Sequence, residues 1–174
     1  NKLYCKTIVD KGEMMLNIFS NKKASDSMLK APADAVMLDI TSVNDPVFAG
    51  KMMGDGVAFQ IDKDKCAICS PADGILSVLF PTGHAFGVTL KNGAEVLIHI
   101  GIDTVKENGN GFCLLDKKQG NTVKAGDPIV EVDLKQLRAK YDMTVMLVVT
   151  NAAENKIDFL QPGVFKKGES IVKA

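Results

Sequence analysis

His84 and His99 are the only histidines in this chain of 174 residues, and both stand among apolar residues. A neutral imidazole is a good nucleophile near pH 7 and also donates hydrogen bonds, so two adjacent imidazoles could take up an anionic group. Asn92-Gly93, typical of a two-residue β-hairpin turn, lies midway between them. We therefore predict an antiparallel strand pair with the two imidazoles almost opposite each other.

Alternation along these two strands assigns the neighbours of each histidine. The predicted faces hold Phe80, Thr82, His84 and Phe86 on the first strand and Leu97, His99, Gly101 and Asp103 on the second. A lone histidine on an apolar strand is more often a core residue than a functional one. The pairing, with a hydroxyl and a carboxylate close by, supports a functional site.

Two other motifs carry weaker signals. Cys66-Ala67-Ile68-Cys69 is a single CxxC with no second pair to complete a zinc site, so we interpret it as structural. Gly54-Asp55-Gly56 lacks the spacing of a phosphate-binding loop and is interpreted as a tight turn, with Asp55 available to tune a nearby site.

Composition limits the possible function classes. The 21 basic and 21 acidic side chains give a formal net charge of zero, and Arg138 is the only arginine, which argues against a nucleic-acid partner. No apolar run approaches the length of a membrane span. The four cysteines are too few and too scattered for a disulfide framework. We expect a cytoplasmic domain without a resident metal or cofactor.

Short apolar runs broken by turn residues follow one another from residue 29 onward, which is typical of an all-β sandwich or barrel. Strands are predicted at 78–80, 86–90 and 96–100. One helix is predicted at 134–141, with Asp133 as its N-cap and Leu134 and Leu137 on one face.

Two weak internal repeats suggest duplicated strand units. Residues 31–36 recur 39 residues later as 70–75, and residues 123–130 recur 42 residues later as 165–172. We find no linker within 29–174 and interpret it as one domain. Residues 1–28 read as a leader, either flexible or amphipathic, with Met14 or Met15 as a candidate native start.

These segments resemble the glucose-type IIA domain of the bacterial phosphoenolpyruvate-dependent sugar phosphotransferase system. The resemblance covers about 29–174, and its most specific part is His-Ile-Gly-Ile-Asp-Thr-Val at 99–105 with Thr82-x-His84 upstream. Further similar segments are 45–58, 70–74, 80–87, 109–112 and 148–151.

The resemblance implies an antiparallel β-sandwich with duplicated strand units and one or two short helices. It implies that His99 takes a phosphoryl group from the phosphocarrier HPr, that His84 steadies the phosphoryl oxygens and that Thr82 orients His84. The group would then pass to a cysteine of a IIB domain and finally to a sugar. Contact with a membrane would come only through that permease or through the leader.

The resemblance also assigns residues around the site. Asp103, Asp55 and Gly101 would border it. An apolar rim that docks partner proteins would consist of Val47, Phe48, Met53, Phe80 and Leu97.

Other functions stay open at this point. A zinc peptidase of similar architecture would need further ligands, but Val88 and Gly101 stand where they would be expected. A biotinyl- or lipoyl-type carrier would need a lysine at a hairpin tip, and Lys65 is a poor candidate. A non-catalytic regulatory module on the same scaffold, binding proteins that it regulates, is the third alternative.

Overall fold

The computed structural model describes residues 29–152 and 154–173. The predicted leader lies outside the described residues. Within them, the chain forms eleven strands, two short α-helices and 3₁₀ turns at Ile40–Ser42 and Thr104–Glu107. The elements are β1 (Ala35–Asp39), α1 (Pro46–Ala49), β2 (Asp55–Gln60), β3 (Lys65–Cys69), β4 (Gly74–Leu79), β5 (Ala85–Leu90), β6 (Glu95–Ile100), β7 (Phe112–Leu114), β8 (Thr122–Val123), β9 (Pro128–Asp133), α2 (Leu134–Arg138), β10 (Val145–Val149) and β11 (Gly163–Phe165).

Two antiparallel sheets pack face to face, which confirms the predicted sandwich. The larger sheet has the order β11-β1-β2-β10-β6-β5-β4-β8, and the smaller has β3-β9-β7. Alternate residues of the central strands, such as Phe86, Ile98 and Leu147, are buried in the main core with Ile68 and Val130 of the smaller sheet. Burial of this apolar surface is the main favourable term in folding.

β10 is buried on both faces, which explains its unbroken apolar sequence. Its inner residues belong to the main core, whereas Met146 and Val148 face outward into a smaller cluster. That outer cluster consists of Ile40, Val43, Phe48, Ala58, Met146 and Val148. The segment from the first 3₁₀ turn to α1 therefore covers the outer face of the large sheet at its centre.

The two internal repeats form equivalent structures that contact each other. In the first pair, 31–36 and 70–75, a carbonyl of each segment accepts the amide of the residue directly before the other segment. The first residue of each segment donates to residue 169 or 127 in the second pair of repeats. The bonds run from the amides of Lys30, Cys69, Ala31 and Ser70 to the carbonyls of Pro71, Pro32, Glu169 and Asp127, at 2.8, 3.0, 2.9 and 2.8 Å. The strand order is correspondingly symmetric about its middle, which places β6 and β10 side by side at the centre.

The hairpin at Asn92-Gly93 is present, but its register differs by one residue from the prediction. His99 pairs with Ala85, and Ile98 pairs with Phe86. Because side chains alternate along a strand, Phe86 faces the main core and does not share a face with the imidazoles. The assignment of Phe86 to the histidine face is therefore wrong.

The predicted helix exists with its predicted cap but is shorter. The Asp133 carboxylate accepts the Gln136 amide at 3.0 Å, and Leu134 and Leu137 are buried. The helix ends at Arg138 rather than at 141, because the chain turns there to enter β10. At five residues, α2 is the longest helix of the described segments and is far too short to cross a bilayer.

The interpretation of Gly54-Asp55-Gly56 as a tight turn is wrong. Asp55 and Gly56 begin β2, and the glycines permit close approach to β10. A Cβ atom on Gly56 would lie 2.0 Å from the Leu147 carbonyl oxygen.

The CxxC cysteines lie on β3, and both thiols are free. Burial raises the pKa of the Cys66 and Cys69 thiols, which disfavours the reactive thiolate. This agrees with the structural interpretation of the motif.

We expect Gly56→Ala to destabilise the protein by about 3 kcal/mol, because backbone rather than a flexible side chain occupies the space of the new methyl group. Gly163→Ala is the matched control, since Gly163 also lies in a strand but a methyl group added there would be 3.9 Å from its nearest neighbouring atom. Urea unfolding of both variants measures the difference. Equal midpoints would show that β2 and β10 do not need the glycine.

Candidate functional site

His99 lies on the outer face of the large sheet, near the end of its central strand β6. Strand pairing places Ala85 of β5 on one side of it and Met146 of β10 on the other. The backbone around His99 is therefore held by ladder hydrogen bonds on both sides. A side chain in this position has a fixed point of attachment, which a phosphoryl or acyl acceptor needs.

The ring of Phe48 packs against the ring of His99, with centroids 5.2 Å apart and an interplanar angle of 54°. Phe48 is held there by α1, whose N-cap Asp45 accepts the amides of Val47 and Phe48 at 2.8 and 3.3 Å. Pro46 at the first helical position suits this short helix because it needs no amide partner there. Phe48 thus limits the rotation and hydration of the His99 ring.

His84 reaches the site through a backbone bend rather than through the strand. Gly83 has φ of +73°, and β5 begins only at Ala85. After this bend the rings of His84 and His99 lie 5.3 Å apart in an edge-to-face arrangement. The predicted proximity of the two imidazoles is confirmed, although the strand register that suggested it is off by one.

The tautomer of His99 follows from a single hydrogen bond. Its Nδ1 lies 2.9 Å from the carbonyl oxygen of Gly101. A carbonyl oxygen can only accept, so Nδ1 carries the proton and donates it. In the neutral ring the lone pair is then on Nε2. His99 is therefore arranged to act as a nucleophile through Nε2.

The ring of His84 is oriented by a hydroxyl group, which can either donate or accept. Thr82 Oγ1 lies 2.6 Å from His84 Nδ1, so the Nε2 atom of His84 is left for other partners. Phe80 packs against the same ring with centroids 4.9 Å apart. The structure thus brings Thr82 and His84 together as predicted, although a turn rather than a strand does so.

Burial lowers the pKa of both imidazoles. For His84 loss of hydration is the cause. For His99 it is the largest cause, and the neighbouring His84 lowers the pKa further, against the raising effects of the Gly101 carbonyl, Asp45 and Asp103. Both rings therefore stay neutral to more acidic pH than a free histidine, which preserves the lone pair on Nε2.

The acidic residues predicted to border the site are paired with lysines. Asp55 binds Lys51 at 2.7 Å, and Asp103 binds Lys106 at 2.8 Å. Only Asp103 of these two acts on the pKa of His99. Gly101 has φ of +76°, and it supplies the carbonyl that His99 binds. Gly101 therefore contributes through its backbone.

Four of the five residues expected in an apolar rim are accessible. Val47 and Met53 are each 38% exposed, Phe80 is 41% exposed and Leu97 is partly exposed. Phe48 differs, because only 6% of it is exposed and its ring lies in the outer cluster. Phe48 therefore packs against His99 from within the outer cluster and offers little surface to a partner.

Asp45 is a residue that sequence reasoning missed. It caps the helix that holds Phe48, and its charge raises the pKa of His99. The signal was present, because an aspartate directly before a proline is a common helix start.

A metal ion would find two imidazole nitrogens at this site. Among the described residues, no group of three histidine, cysteine or acidic side chains is suited to hold a metal.

A family model described as phosphoenolpyruvate-dependent sugar phosphotransferase system, EIIA 1, matches residues 27–155. The chain belongs to this family. As an EIIA protein it is a phosphotransferase-system component that transfers phosphoryl groups. The paired imidazoles and the free Nε2 of His99 are consistent with that chemistry.

Individual EIIA proteins show the same relationship. The PTS system glucose-specific EIIA component of Bacillus cereus is 44% identical over 136 residues, covering 76% of this chain and 81% of that protein. The PTS system glucose-specific EIICBA component of Staphylococcus carnosus is 39% identical over 150 residues. These are 86% of this chain but 22% of that protein, so the chain spans about a fifth of its length.

A solved EIIA structure has the same fold. The glucose permease IIA from Mycoplasma capricolum superposes with a TM-score of 0.78 at 34% identity, covering 86% of this chain and 96% of that one. The implied sandwich is thereby confirmed. The match supports a phosphotransferase-system protein over the zinc-peptidase alternative.

We expect both histidines to titrate below pH 6.5 in the folded protein, because burial disfavours the imidazolium. The unfolded chain then binds protons that the folded chain does not, so stability falls as the pH drops below 6.5. Nitrogen-15 NMR titration gives both midpoints, and the same titration in urea supplies the unfolded reference. A folded midpoint at or above the unfolded one would contradict the role of burial.

Proposed function

We propose that this EIIA protein is a phosphohistidine carrier of sugar uptake. His99 accepts a phosphoryl group from phospho-HPr and passes it to a cysteine of a IIB domain. The observation that carries the proposal is the bond from His99 Nδ1 to the Gly101 carbonyl, which leaves the lone pair on Nε2. The neighbouring His84 ring, 5.3 Å away, supplies a second nitrogen on the same side of the sheet.

In the first step the Nε2 lone pair of His99 attacks phosphorus in line with the leaving group. A nitrogen–phosphorus bond forms, the bond from phosphorus to the donor atom of HPr breaks, and its electron pair stays with HPr. Such transfers need little from the protein beyond positioning and stabilisation of the equatorial oxygens. No proton has to leave Nε2, because it carries none in this tautomer.

His84 stabilises those oxygens in the proposed mechanism. When the Thr82 hydroxyl donates to His84 Nδ1, the ring proton is on Nε2, which can donate to a phosphoryl oxygen. Because His84 is only 6% exposed, water competes little with this donor for the phosphoryl oxygen. A hydrogen-bond donor held ready in a poorly hydrated site stabilises the transition state more than a mobile one.

In the second step the thiolate of the IIB cysteine attacks phosphorus from the opposite side. A sulfur–phosphorus bond forms, the nitrogen–phosphorus bond breaks, and the electron pair returns to Nε2 of His99. The site retains the group only weakly, since Lys51 and Lys106 are paired with Asp55 and Asp103, the acidic residues predicted to border it. Weak retention of the anion favours onward transfer.

The accessible apolar side chains around the imidazoles support docking of both partners. Val47, Met53 and Phe80 are each more than a third exposed. A partner that covers them removes water from the phosphoryl group, which limits its hydrolysis. The name of the Staphylococcus carnosus relative, an EIICBA component, supports a permease partner, and we place the chain on the cytoplasmic side with it.

The central test is a phosphoryl-transfer assay with phosphoenolpyruvate, enzyme I and HPr, read by intact mass. We expect wild type to gain one acid-labile phosphoryl group and His99→Ala to gain none. His84→Gln keeps the nucleophile, so it should accept the group but pass it to a IIB domain roughly 100-fold more slowly.

His84→Gln also serves as the control for His99→Ala. If it accepts the group, a substitution next to His99 does not by itself unfold the site. A folded wild-type protein that stays unmodified while HPr is charged would overturn the carrier function and favour the non-catalytic regulatory module.

Thr82→Ala should slow phosphoryl transfer about tenfold, because loss of the hydroxyl bond lets the His84 ring rotate and change tautomer. Thr82→Ser retains the hydroxyl and should stay within about twofold of wild type. Rapid-quench measurement of transfer from phospho-HPr compares the three proteins. Equal rates for the alanine and serine variants would show that the hydroxyl does not orient His84.

A further inference from the structure

The tautomer of His99 depends on the direction of the Gly101 carbonyl, and the loop before β10 sets that direction. The Gly101 carbonyl and the Ile102 amide belong to one planar trans peptide, so they point in opposite directions. The carbonyl accepts His99 Nδ1 at 2.9 Å, and the Ile102 amide donates to the Asp142 carbonyl at 2.8 Å. Anchoring the amide therefore aims the carbonyl at His99.

The preceding peptide is held by the same loop. The Gly101 amide donates to the Thr144 carbonyl at 3.0 Å, and the Thr104 hydroxyl donates to the Ile100 carbonyl at 2.5 Å. Gly101 itself has φ of +76°, and a glycine without other contacts could as readily adopt a negative φ. Both peptides that flank this flexible residue are thus bound, and residues 142 and 144 supply one bond to each.

The Asp142 side chain determines the shape of that loop. Its Oδ1 accepts the Thr144 amide at 2.9 Å and the Thr144 hydroxyl at 2.6 Å. This local turn holds the carbonyls of Asp142 and Thr144 where they meet the amides of Ile102 and Gly101. The buried Met143 side chain packs this turn against the main core, and the carboxylate adds the hydrogen bonds that set the spacing of those two carbonyls.

A second link ties the same two segments together next to the turn. The Glu107 carboxylate accepts the Tyr141 hydroxyl at 2.9 Å and binds the Lys140 ammonium at 3.0 Å. The segment after β6 and the segment before β10 are thereby also joined at Lys140 and Tyr141, directly before Asp142. A change at Asp142 then loosens the turn locally and leaves the two segments together.

We infer that Asp142 is a positioning residue for phosphoryl acceptance. Through Thr144 and the two peptides around Gly101 it keeps the Gly101 carbonyl on His99 Nδ1 and the lone pair on Nε2. Asp142 lies on the far side of this backbone link and does not itself touch the reacting atoms. The inference rests on the proposed carrier function of His99.

The test combines nitrogen-15 NMR of the His99 ring with the rate of phosphoryl acceptance from phospho-HPr. Asp142→Ala should show a second ring tautomer, protonated on Nε2, and accept the group about tenfold more slowly. Asp142→Asn keeps an acceptor oxygen at the same position and should restore both to near wild type. Thr144→Val removes only the hydroxyl bond and should shift both readouts less, in the same direction.

Asp39 offers a matched control, since its Oδ1 likewise accepts the amide and hydroxyl of the threonine two residues later, Thr41, at 2.8 Å each. Asp39→Ala removes the same kind of turn without touching Gly101, so the His99 tautomer should not change. If wild type takes no phosphoryl group, the carrier function is overturned. If wild type takes it but Asp142→Ala keeps one tautomer and the full rate, the positioning role is overturned.

Discussion

A neutral imidazole has one proton to share between two nitrogens, and in His99 a backbone carbonyl holds it. The bond from Nδ1 to Gly101 decides which nitrogen can attack. Much of the local structure serves that bond: β6 ends just before Gly101, and the chain bends there into a left-handed conformation. The side chains that bury the ring then keep it neutral, so that the free lone pair is available.

The large sheet provides the rigidity that such a bond needs. Its symmetric strand order puts β6 and β10 at the centre, where each is paired on both sides. The outer cluster adds a second layer of packing on the face that carries His99, and Phe48 belongs both to that cluster and to the site. Packing and function therefore share a residue, and the ring of His99 rests on a closely packed base.

The sequence predicted the sandwich, the central hairpin and the pair of imidazoles because each rests on local signals. Alternating apolar runs and an Asn-Gly turn depend on a few neighbouring residues. The exact register did not follow, because a turn of two residues and a slightly longer loop fit the same sequence. The histidines are close together despite the wrong register, because the positive φ of Gly83 turns His84 towards His99.

Long-range contacts were beyond sequence reasoning. That Phe48 is buried against His99 depends on how the segment around α1 folds onto the sheet, and nothing in its own sequence states this. The same holds for Asp142, whose importance comes from a loop that is distant along the chain from Gly101. The resemblance supplied the residues proposed to react, whereas the structure supplies the reason for the tautomer of His99.

The lysine–carboxylate pairs at the residues predicted to border the site have a consequence for competition by free anions. Lys51 and Lys106 are each neutralised by an aspartate, and Arg138 donates instead to the backbone carbonyl of Lys63. Dissolved orthophosphate, which is attracted mainly by fixed positive charge, gains little by entering such a site. In the proposed carrier the bond to His99 holds the phosphoryl group covalently and His84 adds a neutral hydrogen-bond donor. The abundant free anion therefore does not block the acceptor nitrogen.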